Sequence, residues 1–89
     1  MSAVDSKMAE LAARFAARSA EERTALSAAL HGGDLAALQS RAHKLAGIAP
    51  MFGYTEIGEA ALELELAVEE SGDVEASARR LDTLLAAIG

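Results

Sequence analysis

The chain has 89 residues, with 8 Lys and Arg against 14 Asp and Glu, a formal net charge of -6 and no cysteine, which bounds it to one small acidic domain. The missing thiols exclude disulfides and thiolate metal sites, and the lack of a basic patch excludes nucleic acid and anionic membranes as partners. No run approaches the roughly 20 apolar residues of a membrane span and no signal-peptide layout is present, so a cytoplasmic protein is expected.

Alanine occurs 22 times, proline once, and the aromatics are limited to Phe15, Phe52 and Tyr54, a profile that suits closely approaching helices. The first helix is predicted from Val4 to Arg18, with Val4, Met8, Leu11 and Phe15 on one face. Ser19 with Glu22 three residues on reads as a capping box and predicts a second helix from Ala20 to Leu30. That helix presents Leu26 and Leu30, with Ala25 and Ala29 beside them.

His31-Gly32-Gly33-Asp34 is a stop followed by a cap. The third helix then places Leu35, Leu38, Ala42, Leu45 and Ala49 on one stripe and ends near Ala49, before Pro50. The linker Pro50 to Tyr54 is short, so the fourth helix, from Thr55 to Glu70, returns antiparallel. Its stripe is Ile57, Ala61, Leu64 and Val68, widened by Ala60, Leu62, Leu66 and Ala67, which predicts contact on two sides. Ser71-Gly72-Asp73 repeats the stop and cap, and the last helix runs from Val74 to Ile88. Short connections of this kind predict an all-α, up-and-down antiparallel four-helix bundle with a short additional N-terminal helix across one end, residues 1-89 forming a single monomeric domain.

The chemistry concentrates on the third helix. Residues advance ~100° each, which puts His43 on its outward flank, ~120° from the centre of the apolar stripe, among Ala36, Gln39, Ser40 and Gly47. Gly47 costs the helix roughly 1 kcal/mol against alanine, and leaving out its side chain opens a path to the imidazole. His31 stands at a helix C-terminus, where the helix dipole favours a cation, so a capping role accounts for it.

Other chemistries fail on counting. There is no Glu-x-x-His or His-x-x-x-His pair for a metal and no glycine-rich phosphate loop, so neither metal, nucleotide nor cofactor is expected. Ser40 lies within reach of His43, but no third triad member accompanies it. Between Leu45 and Ala78 there is no Lys or Arg, while Glu56, Glu59, Glu63, Glu65, Glu69, Glu70, Asp73 and Glu75 fall there. That run is either a solvated face or the footprint of a protein partner with a basic rim.

Asp34-Leu35-Ala36-Ala37-Leu38 leading to Arg41-Ala42-His43, then His43-x-Leu45-x-Gly47, Phe52-Gly53, Ile57 and Leu62-Glu63, together with Leu11 and Phe15, resemble a histidine-containing phosphotransfer (HPt) domain over nearly the whole chain. The resemblance implies that His43 accepts a phosphoryl group from an aspartyl phosphate of a receiver domain, in a response regulator or hybrid histidine kinase, and passes it on in a two-component phosphorelay. It implies that Gly47 is the gap admitting the donor, that Gly53 marks the turn into the next helix, and that the receiver supplies Mg²⁺. Gly47, Lys44, Gln39 and Ser40 are then the residues of phosphate and receiver access. Such a chain is a carrier with no kinase or ATPase activity of its own. Many family members place a lysine where this chain has Ala46, and Lys44 lies ~100° around the helix from His43. Pro50 also stands where a small, flexible residue is more usual. A non-catalytic interaction module that keeps the fold without phosphotransfer is the alternative reading.

Overall fold

The computed structural model describes residues 3-89; the first two positions of the expected domain, Met1 and Ser2, lie outside the described residues. Five helices follow one another: α1 (Ala3–Ala17), α2 (Ser19–His31), α3 (Leu35–Ile48), α4 (Thr55–Glu69) and α5 (Val74–Ile88). A 3-10 turn, Ala49–Phe52, continues α3. No strand occurs among the described residues.

Helices α2 to α5 close a ring in which α2 packs on α3, α3 on α4, α4 on α5 and α5 back on α2. This is the four-helix bundle that short loops between amphipathic helices dictate. Its centre holds Leu38 of α3, Leu64 of α4 and Leu81 and Leu85 of α5, all fully buried, with Leu26 of α2 beside them. Alanines at 42, 60 and 61 are also fully covered. Small side chains there let α3 and α4 approach closely.

The two stop-and-cap signals operate as chemistry predicts. Asp34 accepts a hydrogen bond from the Ala37 amide at 3.1 Å, and Asp73 accepts one from Ala76 at 3.0 Å. Each satisfies an amide that the first helical turn leaves without a backbone partner. Gly33 takes a left-handed conformation with φ of +71°. At the second stop the left-handed residue is Ser71, with φ of +54°, and not Gly72. The reversal comes one residue earlier there, because α4 ends at Glu69 with Glu70 as its cap.

The capping box at Ser19 does not form. Ser19 lies inside α2, its N-cap is Arg18, and no side chain caps that end. The Ser19 side chain is instead buried against Gly89, and Glu22 reaches across to Arg41 at 3.3 Å. Only Arg18 separates α1 from α2, and its amide still bonds Arg14 and Phe15 carbonyls, so the chain needs no new cap.

Three stripes are narrower than their apolar periodicity predicts. Helix α1 has no buried residue: Val4 and Met8 are exposed and only its C-terminal end is anchored. There the Phe15 ring stacks on Tyr54, centroids 5.4 Å apart, and tilts against Phe52 at 5.8 Å. Leu35 is exposed at the start of α3. On α4, contact on two sides is present, with α3 and α5, but Leu62 and Leu66 stay 47% and 41% exposed. Ala60 and Ala61 make that contact in their place, and Gly58 with them.

Pro50 does not end the helical path abruptly. It sits in the first turn of the 3-10 segment, where a missing amide hydrogen costs no hydrogen bond. Its ring lies over Gly58 of α4, where a Cβ would stand 2.5 Å from Pro50 Cγ and 2.8 Å from Cδ. Gly53, with φ of +89°, then closes the turn by donating its amide to the Ala49 and Pro50 carbonyls.

Candidate functional site

The exposed side of the α3–α4 pair carries the site. Three contacts set the antiparallel register: Pro50 over Gly58 at the turn, His43 against Glu65 two turns up, and Gln39 against Glu69 a turn further. Each step is close to one or two helical turns on both helices, so the same faces stay opposed.

His43 is open to solvent, its side chain 74% exposed. Its Nδ1 stands 2.7 Å from Glu65 Oε2, whose side chain is only 15% exposed. An ionised carboxylate only accepts hydrogen bonds, so Nδ1 carries the proton and donates it. The neutral ring then has its lone pair on Nε2, the nitrogen directed away from α4's carboxylate. Glu65, which holds the imidazole, is not singled out by the sequence, where it stands only within the acidic run. A carboxylate at the matching height of the antiparallel neighbour was the available signal, and reading it requires the register of the turn.

The other residues divide into two groups. Gln39 Nε2 donates to Glu69 Oε1 at 2.9 Å, on the α4 side with His43. Ser40 and Lys44 line a groove of about 290 Å³ on the α2 side, with Glu22, Ala37, Arg41 and Leu45. The structure brings Gln39 and His43 together along one edge of α3 and puts Ser40 and Lys44 along the other. Ala46 is half-buried on the α4 side, and no lysine occupies that position.

Gly47 is exposed, one turn beyond His43, and a Cβ built there would meet nothing within 4 Å. No internal packing requires the glycine. On the far side of α4, Arg80 of α5 binds Glu63 at 2.6 Å. That hydrogen bond, then the charges of Glu63, Glu59 and Glu56, raise the Arg80 pKa above its ordinary value. Glu65 and Glu69 remain directed to α3.

His31 is exposed at the end of α2, its Nδ1 2.8 Å from the Ser27 carbonyl and 3.1 Å from the Ser27 hydroxyl. It holds the last turn of its own helix. Among the described residues no group of three or more His, Cys, Asp or Glu is arranged to hold a metal, and no helix is long and apolar enough to cross a membrane.

Of the two exposed imidazoles in this helical bundle, His31 is held by its own helix, whereas His43 is backed by a carboxylate of the neighbouring helix and bordered by an empty glycine position. The chain belongs to the Hpt domain family, whose family model matches residues 10–89. Hpt domains serve histidine phosphotransfer in phosphorelays and partner receiver domains. No curated protein and no solved structure matches the chain.

Proposed function

We propose that this chain, as one domain over residues 1-89, carries a phosphoryl group on His43 Nε2 between receiver-domain aspartates. The observation that supports this best is the exposed imidazole with Nδ1 bonded to Glu65, because that bond leaves the lone pair on the reachable nitrogen. Nε2 attacks phosphorus in line, the P–N bond forms, and the P–O bond to the receiver carboxylate breaks with its electron pair going to that oxygen. The Nδ1 proton stays on the ring, held by Glu65, so no proton has to move. In the reverse direction the ring departs as neutral imidazole. Mg²⁺ held by the receiver supplies charge stabilisation for the transferring oxygens, which is the main requirement of this chemistry. Gly47 supplies clearance for the incoming surface, and Gln39 holds Glu69 beside it.

The test is label transfer from a receiver domain phosphorylated on its aspartate. Wild type and His31→Ala should gain acid-labile, base-stable label, while His43→Gln gains none and keeps its helical circular dichroism. Glu65→Leu should slow uptake roughly tenfold or more, and Glu65→Gln, which still offers an oxygen to Nδ1–H, should recover much of it. Label retained on the His43→Gln variant would overturn the assignment.

A further inference from the structure

Leu62 and Leu66 lie one turn apart on α4 and remain 47% and 41% exposed, while Ile57 and Leu64 of the same helix are buried in the core. They flank Glu65 in sequence, and Glu65 holds His43. Glu59 and Glu70 share this outward side of α4 at helical spacing, both exposed, and Glu69, held by Gln39, borders it on the α3 side. No Lys or Arg occurs anywhere from Ala46 to Ala78 to neutralise them in sequence. Two leucines interleaved with glutamates, which have only Arg80 of α5 as a nearby cation and that one bound to Glu63, are a poor solvated face, which would carry polar residues throughout.

We infer that this ridge is the selective part of the docking surface, and that it fits a receiver whose matching surface is an apolar stripe bordered by Lys or Arg. The inference rests on the reading of His43 as the phosphoryl carrier and adds the partner's chemistry. Continuity with His43 through Glu65 means that a surface reaching Nε2 also covers Leu62 and Leu66. Charge decides against a second copy of this chain as the occupant. Two such ridges would set Glu59 and Glu70 against their equivalents, in a protein already at -6. A basic border on the partner relieves that repulsion and lets the leucines be buried. The α2 side of α3 differs in charge, with Lys44 beside the Arg41–Glu22 pair around the groove, so the two edges of α3 are not interchangeable to a docked receiver.

The experiment measures transfer from a receiver phosphorylated on its aspartate to the wild-type chain and its variants, with phosphoramidate as a second, small donor that needs no docking surface. From phosphoramidate the P–N bond to ammonia breaks as P–Nε2 forms. Leu66→Ser and Leu62→Ser should raise KM for the receiver about tenfold with little change in kcat. Glu59→Lys and Glu70→Lys should raise it roughly threefold to tenfold at low salt, the difference fading toward ~1 M NaCl as screening shortens to ~3 Å. Labelling by phosphoramidate should stay at the wild-type level in all four variants. Receiver transfer unchanged in these variants, with phosphoramidate labelling intact, overturns the ridge and leaves the carrier reading standing. Failure of both donors on the wild type removes the carrier reading itself. Self-association of the wild type that Leu66→Ser abolishes assigns the ridge to a second copy and also overturns the proposal.

Discussion

Position 47 is a helix-interior glycine that nothing in the fold requires. Nothing lies within 4 Å of where its Cβ would be, so the helix carries the cost of glycine with no packing return. Gly47→Ala should therefore stabilise the free protein by about 0.5–1 kcal/mol in urea unfolding. Gly47→Leu should also remain folded, yet lose transfer from a receiver; a variant that unfolds instead would assign the glycine to packing. Gly47 and the outward face of His43 were legible because both follow from the apolar stripe of one helix. Glu65 was not, because a hydrogen bond between helices depends on where the turn places them. The left-handed residue of the second stop was not legible for a related reason: the pattern Ser-Gly-Asp names a stop, but the helix end decides which residue turns left-handed, and that is Ser71, with φ of +54°.

At the scale of elements, the α3–α4 hairpin is the unit that builds the site, and Pro50 against Gly58 sets its spacing. A methyl group at 58 has to displace the proline ring, which costs about 1–3 kcal/mol as overpacking. Gly58→Ala should destabilise by that amount, and Pro50→Ala combined with it should return most of the loss. A double-mutant cycle measures the coupling, and additive effects would mean that the two residues do not set the hairpin. Caps at Asp34 and Asp73 were legible because they act within three residues. The failed box at Ser19 has the same sequence signature, but α1 runs into α2 with one residue between, so that helix start has no free end to cap. Leu62 and Leu66 widened the stripe of α4 on paper, while alanine at 60 and 61 brings the neighbouring helices too close for them to enter.

The whole molecule measures 46 × 21 × 19 Å, and its long axis is about twice the ~22 Å length of a fifteen-residue helix. Stability is expected to grade along that axis. Helix α1 touches the rest chiefly at α2 and the 3-10 turn, through Phe15, whereas α3 and α4 share the deepest core. Amide exchange should be fastest in α1 and slowest around Leu38 and Leu64, and Phe15→Ala should release α1 while leaving the bundle's exchange rates near wild type. Equal protection throughout would contradict this gradient. The bundle class was legible from four apolar periodicities and their short connections; the loose attachment of α1 was not, since its stripe looks as apolar as any other.

The fit of Pro50 over Gly58 also bears on how such a chain can change over generations. A lineage holding the pair meets the overpacking penalty if it acquires a side chain at 58 first, whereas loss of the proline first leaves a tolerable gap. The order of substitutions is thereby directional. Homologous chains with proline at the position of Pro50 should carry glycine at that of Gly58, while those without the proline are free to vary there.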